Sequence, residues 1–225
     1  HPSLNGEGVT VAVTDSGVDF RNPVFSEDQT APTSTNINTR IVYYEAREGQ
    51  FTEGIPGDND GHGTHVSASI LGNGALSETA VSVPGSDGPP YATNQFAGVA
   101  PQARLVMLED FNSFTATQQT SIAFNQGARI SNNSWGSRLF FDYGGSSELW
   151  DELVRDAYGT PDLNDRREMI VFFAAGNSGQ GLDDGTSGLK NTVSRPGNAK
   201  NVITIGALEQ ARRANNIRGV FFGSS

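Results

Sequence analysis

Short apolar runs recur along the chain, and most of them are hydrophobic nearly throughout instead of alternating with polar residues. Runs of this kind are typical of strands that are buried on both faces of a parallel sheet. The six predicted strands are Val9–Thr14, Arg40–Tyr44, Arg104–Leu108, Ala128–Asn132, Met169–Ala175 and Val202–Ala207.

Helical spacing of apolar residues separates these strands. Val66 and Ile70 lie four positions apart, and Leu149, Leu153 and Ala157 form one stripe that has a serine at its start as an available N-cap. The predicted helices are His62–Leu71, a helix that begins near Thr115 and ends within Ser121–Gly127, and Ser147–Tyr158. Alternation of strands and helices predicts a three-layer α/β fold, with a mainly parallel central sheet and helices on both faces.

Neither an internal repeat nor a linker divides the chain, so we predict a single domain over residues 1–225. Hydrophobic residues make up 36% of the chain and charged residues 18%, which is ordinary for a soluble globular protein. No apolar run approaches the roughly 20 residues that cross a bilayer, and the start at His1 shows no signal peptide. We therefore expect no membrane span.

The chain has a net charge of −10 and contains no cysteine. The missing cysteines exclude disulfides, thiolate metal sites and cysteine nucleophiles. A nucleic-acid-binding domain is usually basic, whereas this chain carries neither a basic stripe nor an interleaved basic and aromatic patch. We expect no nucleic-acid partner.

Polar and small residues follow three of the predicted strands. Asp15 follows the first strand, Asn132–Gly136 ends the fourth, and Gly176–Gly179 ends the fifth. Because parallel strands point their carboxyl ends to one edge of a sheet, a carboxylate, a platform of small residues and an amide should converge there. Each of these segments alone is ordinary turn chemistry.

A histidine at the start of the first helix changes that picture. His62 lies between Gly61 and Gly63, two residues that let another part of the chain approach closely. His65 is three positions away and suggests a metal pair, but the zinc peptidase signature has histidines four apart with a glutamate after the first. Residue 63 is glycine, so this zinc signature is absent and the metal site stays unknown.

Taken in chain order, these segments resemble the motifs of the subtilisin-like serine peptidases (subtilases), and the longer bacterial subtilases in particular. The matching segments are Asp15–Gly17 for the aspartate motif, His62–Val66 for the histidine motif, Asn132–Gly136 for the substrate strand, Ala174–Gly179 for the oxyanion motif, and Arg195–Gly197 and Asn201–Ala207 for the turn and strand that follow. The resemblance also implies a cis Arg195–Pro196 bond.

The resemblance implies a serine endopeptidase that cuts extended polypeptides through an Asp–His–Ser triad and an acyl-enzyme. His62 would be the general base, Asp15 would hold its tautomer, and Asn177 would donate to the oxyanion. No charged residue stands in the implied pocket, so we expect an apolar or broad preference. The implied substrate-binding residues are Ser134, Trp135, Gly136, Ala174, Ala175 and Gly176, with Ser194 near the base of the pocket.

The nucleophilic serine is not found in these 225 residues. The family carries it in a Gly-Thr-Ser-Met-Ala type motif after the last predicted strand, so we expect it downstream of Ser225. The domain would then be incomplete at its C-terminus and this chain alone inactive. Ser187, in the segment 185–188, has the right preceding letters but no apolar helix after it, and we expect it not to be the nucleophile.

No cofactor is expected for catalysis, and a structural calcium is an open expectation. Many subtilases bind calcium through an aspartate nine residues after the catalytic one, a position held here by Val24. The acidic pairs Asp58 with Asp60 and Asp183 with Asp184 offer other oxygen ligands, although solvated turns are the favoured interpretation of both.

The expected partners are polypeptide substrates, and a propeptide or the remaining C-terminal segment. The resemblance places the protein outside the cell or at its surface. A non-catalytic peptide-binding protein of the same fold stays open as the alternative, although such a protein has no chemical need for Asp15, His62 and Asn177 together. A nucleotide-binding α/β protein is disfavoured, because no glycine-rich loop joins the first strand to a helix.

Overall fold

A computed structural model describes residues 4–27, 39–46, 57–80, 90–109, 112, 114–160, 166–180 and 187–206. The strands are β1 (Thr10–Asp15), β2 (Ile41–Glu45), β3 (Arg104–Glu109), β4 (Ile130–Asn133), β5 (Ile170–Ala174) and β6 (Ile203–Ile205). The α-helices are α1 (His62–Leu71), α2 (Ala116–Asn125) and α3 (Gly145–Arg155), and short 3₁₀ turns cover Pro23–Phe25 and Ser77–Thr79. All predicted strands and helices are therefore present, although most of their observed bounds differ from the predicted ones by one to three residues.

The strands form one six-stranded sheet in the order β2-β3-β1-β4-β5-β6. The pairs β1 with β3, β2 with β3, and β5 with β6 are all parallel. Because the strand order is not the chain order, crossover connections carry the helices between strands. This is the predicted α/β class with a mainly parallel sheet.

Internal contacts divide the chain into two compact units, and the first comprises His1–Ser82 and Gly88–Ser131. Its helix α1 packs against β1 and β3 and buries the face that carries Gly63, Ser67 and Leu71. Most of its core side chains are apolar residues of β1, β3 and the segments beside them, namely Val11, Val13, Val18, Phe25, Leu71, Ala103, Leu105 and Met107. The continuous apolar pattern of β1 and β3 thus marks a strand pair that is buried on both faces.

The second unit comprises Val83–Asp87 and Asn132–Ser225. Its core includes three aromatic rings in edge-to-face contact, with ring centroids 4.8 Å apart for Trp150 and Phe173, 5.1 Å for Trp135 and Phe173, and 6.2 Å for Trp135 and Trp150. Trp150 and Leu153 are buried on α3, so this helix is held to the sheet by its apolar stripe.

The two later helices begin in different ways. Thr115 caps α2 with a full capping box, in which its hydroxyl accepts from the Gln118 N–H and the Gln118 side chain accepts from the Thr115 N–H. The predicted serine cap of α3 is wrong. That helix starts at Gly145 without a side-chain cap, and Ser147 lies buried in its first turn, where its hydroxyl donates to Asn198 Oδ1 (2.6 Å).

Gly144, the N-cap residue of α3, lies beneath Arg195. A Cβ on Gly144 would lie 2.4 Å from Nη2 of Arg195, so a larger residue there would require the end of the arginine side chain to shift. The Arg195–Pro196 bond is cis, as the resemblance implied. None of the helices in the described part of the chain has both the length and the hydropathy of a membrane-crossing segment.

Candidate active site

Asp15 and His62 meet where β1 ends and α1 begins. His62 Nδ1 lies 2.7 Å from Asp15 Oδ1, within the predicted hydrogen-bond reach. The Asp15 side chain is 4% exposed and that of His62 is 47% exposed. Because a carboxylate accepts hydrogen bonds, this contact selects the tautomer with the proton on Nδ1 and leaves Nε2 as the basic nitrogen of the neutral ring.

Glycine at position 63 brings the helix close to the strand. A Cβ on Gly63 would lie 2.2 Å from the carbonyl oxygen of Gly17 and 3.1 Å from the Cβ of Asp15. Such distances leave no room for a side chain, so the backbones can approach only if residue 63 is glycine. The backbone N–H of Ser16 also donates to Asp15 Oδ1 (2.7 Å), which orients the carboxylate toward the imidazole.

A second buried carboxylate, Glu109, lies beside Asp15 and was not singled out from the sequence. Asp15 and Glu109 are register partners at the ends of β1 and β3. The hydroxyl of Tyr44 donates to Glu109 Oε2 (2.6 Å) and lies 2.9 Å from the carbonyl oxygen of Gly57. Burial, together with the hydrogen bond and charge of Glu109, raises the pKa of the Tyr44 phenol well above its ordinary value.

The second unit brings together the small residues that were assigned to a substrate pocket. A Cβ on Gly136 would lie 2.5 Å from Ser194 Oγ, and one on Gly176 would lie 2.8 Å from the same atom. Ser194 is buried, and its backbone N–H donates to the carbonyl oxygen of Ala175 (3.1 Å). Its hydroxyl has no hydrogen-bond partner among the described residues. These glycines therefore flank Ser194, as a pocket with Ser194 near its base requires.

Two other predicted pocket residues, Trp135 and Ser134, make side-chain contacts within the protein. The side chain of Trp135 is partly buried and packs on Trp150 and Phe173. Ser134 accepts at its hydroxyl from Asn132 Nδ2 (3.0 Å). Ala174 ends β5, the backbone N–H of Ala175 donates to the carbonyl oxygen of Ile205 (2.9 Å), and Asn177 is exposed in the bend that follows.

Ser187 lies in an exposed turn with φ of 63° and begins no helix. A family nucleophile opens a helix, so this geometry agrees with the prediction that Ser187 is not the nucleophile. Gly185 and Thr186, which precede it, lie outside the described residues, as do Asp183 and Asp184.

The residues around Val24 do not fit the calcium site that the family resemblance implies. Val24 offers no side-chain oxygen, and its carbonyl oxygen accepts from the Asn73 N–H (2.9 Å) and from Arg40 Nη2 (3.0 Å). Arg40 Nη1 donates to the carbonyl oxygen of Ala103 (3.0 Å), and burial lowers the pKa of this guanidinium. The buried guanidinium of Arg40 thus links Val24 to Ala103. Across the described ranges, no three acidic or histidine side chains form a group that could hold a metal ion.

Sequence comparison identifies the relatives of the chain. The model of the Subtilase family matches residues 6–219. The chain belongs to the subtilase family.

Among curated relatives, this subtilase is 28% identical to the serine protease AprX of Bacillus subtilis, over 95% of this chain and 41% of AprX. It is 27% identical to Subtilisin Savinase of Lederbergia lenta, over 97% of this chain and 61% of that protein. The chain therefore spans 41% of the length of AprX and 61% of the length of Subtilisin Savinase, less than two thirds of either.

Solved structures show a similar fold. The protease domain of PatA, solved as a mutant, is 22% identical with a TM-score of 0.49, over 93% of this chain and 62% of that chain. The periplasmic assembly of the ESX-5 inner membrane complex contains a chain that is 19% identical with a TM-score of 0.50, over 91% of this chain and 53% of that one.

Proposed function

We propose that this subtilase is a serine endopeptidase that hydrolyses peptide bonds through an Asp–His–Ser triad and an acyl-enzyme. The observation that carries the proposal is the 2.7 Å contact between His62 Nδ1 and the buried Asp15 carboxylate, with nearly half of the imidazole open to solvent. Membership of the subtilase family supports a serine peptidase, and AprX is named a serine protease. The serine itself is proposed to lie in a segment downstream of Ser225.

In the proposed reaction, His62 removes the proton from the serine hydroxyl as the serine oxygen attacks the peptide carbonyl. Asp15 stabilises the imidazolium that forms, and the Asn177 amide donates to the oxyanion of the tetrahedral intermediate. The C–N bond then breaks as His62 protonates the leaving amine. Water, deprotonated by His62, attacks the acyl-enzyme and releases the acid product and the free serine.

The substrate is proposed to be an extended polypeptide that pairs with the backbone of Ser134–Gly136 as an added strand. The side chain before the cut bond would enter the space between Gly136 and Gly176, above Ser194. These three residues are uncharged, which supports an apolar or broad preference. A propeptide, or the rest of the domain, would bind as a polypeptide partner. Location outside the cell stays a prediction, since one relative is named an intracellular serine protease, from Paenibacillus polymyxa.

The first test is labelling of the native full-length protein with a serine-directed fluorophosphonate. We expect one labelled serine downstream of residue 225, and no labelling of the separate 1–225 chain, because a triad without its nucleophile cannot form the covalent adduct. The variant His62→Ala should lose labelling, whereas Ser187→Ala, the matched serine control, should label as the unsubstituted protein does.

Two results would contradict the proposal. Stoichiometric labelling at Ser187 would mean that the exposed turn carries the nucleophile. A full-length protein that binds extended peptides, but neither labels nor cuts them, would be the non-catalytic peptide-binding alternative.

A further inference from the structure

Asp58 stands four residues before α1, and its carboxylate is the centre of a hydrogen-bond cluster. Oδ1 accepts from Ser16 Oγ (3.0 Å), from the Asp60 N–H (3.1 Å) and from the Gly61 N–H (2.9 Å). Oδ2 accepts from both the N–H (2.8 Å) and the hydroxyl (2.7 Å) of Thr64. Hydrogen-bond donors of the chain itself thus occupy both carboxylate oxygens. This carboxylate therefore has little capacity left to bind calcium.

These contacts complete the start of α1. The N-cap residue Gly61 supplies no side-chain cap, so the first N–H groups of the helix need acceptors from elsewhere. Each finds one, in the pairs His62 N–H with Asp60 Oδ1 (3.3 Å), Gly63 N–H with Ser16 Oγ (2.9 Å) and Thr64 N–H with Asp58 Oδ2 (2.8 Å). A carboxylate at this position also complements the positive end of the helix dipole.

The same cluster joins the two elements that carry the catalytic pair. Ser16 directly follows Asp15 at the end of β1, and Thr64 lies two residues after His62 in the first turn of α1. Asp58 is hydrogen-bonded to both Ser16 and Thr64. It therefore fixes the distance between the end of β1 and the start of α1.

We propose that Asp58 is a positioning residue for the Asp15–His62 pair, which it acts on by clamping the end of β1 to the first turn of α1. Asp58 reaches neither the substrate nor the reacting atoms in this role. The proposal rests on the proposed peptidase function, since only that function gives the Asp15–His62 distance a chemical consequence.

The charge of Asp58 is present at neutral pH. Burial alone would raise the pKa of its carboxyl, but the hydrogen bonds from Thr64, Gly61 and Ser16 outweigh it and hold the pKa below its ordinary value.

The test is Asp58→Asn in the native full-length enzyme. One carboxylate oxygen becomes an NH2 group that cannot accept, so the donors on either Oδ1 or Oδ2 lose their acceptor. We expect kcat to fall by roughly 10–100-fold through loss of geometry, with KM changed less than about twofold. Asp19→Asn is the matched control, because Asp19 is exposed and its carboxylate accepts from the nearby Arg21 N–H, outside the Asp58 cluster.

A pair of variants at Thr64 separates positioning from general destabilisation. Thr64→Val keeps the shape but removes the hydroxyl, which donates to Asp58 Oδ2 and accepts from the Asp19 N–H, whereas Thr64→Ser retains it. We expect Thr64→Val to lower kcat at unchanged KM and Thr64→Ser to restore most of it, with Tm recorded for every variant.

The outcomes separate the two proposals. If Asp58→Asn lowers Tm but leaves kcat unchanged, Asp58 is only a helix cap and the inference is wrong. Equal kcat for Thr64→Val and Thr64→Ser would also overturn it. A full-length unsubstituted protein that neither labels nor cuts peptides would instead defeat the peptidase proposal on which this inference rests.

Discussion

At the scale of single residues, the candidate site depends on positions where a side chain is missing. Gly63, Gly136 and Gly176 each lie so close to a neighbouring atom that a Cβ would come within 3 Å of it. In the first unit the close approach places α1 against Asp15, and in the second it places two glycines around Ser194. The catalytic and binding geometry is therefore set by glycines as much as by the polar side chains.

Gly63→Ala tests this at the strand–helix junction. The added Cβ would meet the carbonyl oxygen of Gly17, so α1 must move away from β1 and the His62–Asp15 contact must lengthen. We expect kcat/KM for a peptide substrate to fall about 100-fold, and the free energy of unfolding to fall by about 1–3 kcal/mol. Gly57→Ala is the control, because a Cβ there meets nothing within 4 Å. Full activity of Gly63→Ala would show that the junction is loosely packed.

At the scale of elements, the segments beside β1 are tied by a buried arginine. Arg40 precedes β2 and donates to the carbonyl oxygens of Val24 and Ala103, which lie in two other segments. Subtilases of the usual pattern use calcium near this position. Here the positive charge comes from the chain, so the local structure needs no bound ion to satisfy these carbonyls.

Arg40→Met should reveal that role. Two buried carbonyl groups lose a charged donor, so we expect the free energy of unfolding to fall by about 2–4 kcal/mol, measured by urea denaturation. Arg104→Met is the matched control, because Arg104 is exposed on β3. Calcium should not restore the stability of Arg40→Met. Rescue by calcium would show that the segment keeps a metal site after all.

At the scale of the whole molecule, the sheet of the second unit has two unlike faces. Val171 and Phe173 are buried on one face, whereas Ile170 of β5 lies on the other and is 50% exposed. Ile203 and Ile205 of β6 are 45% and 52% exposed, and they pair in register with Phe172 and Ala174, so all these side chains share that second face. Exposed apolar faces of this kind favour association.

We therefore expect the separate 1–225 chain to bind the dye ANS and to self-associate at micromolar concentration. Replacing Ile203 and Ile205 together by Thr should reduce both signals, measured by fluorescence and by sedimentation. Val99→Thr is the control, because Val99 is 88% exposed in the first unit and away from β5 and β6 in the chain. Unchanged ANS binding after the double replacement would place the exposed apolar surface elsewhere.

The sequence by itself determined the fold class and the family. Mostly apolar runs predicted all six strands, although β1 and β3 are buried on both faces whereas β5 and β6 expose one. The order of the motifs identified the subtilases, and that resemblance implied that Asp15 and His62 lie within hydrogen-bond reach of each other. These features depend on residues that are neighbours in the sequence, or on the order of motifs along the chain. They can therefore be recognised without a structure.

Only the tertiary structure decided which distant groups meet. It showed that Trp135 turns its ring into the core, that Arg195 lies over Gly144, and that Asp58 joins Ser16 to Thr64. Arg195 and Asp142 are 53 residues apart, and Ser16 and Asp58 are 42 apart. Neither spacing follows a helical or strand period, since such pairs are selected by the packing of whole elements and not by local propensity.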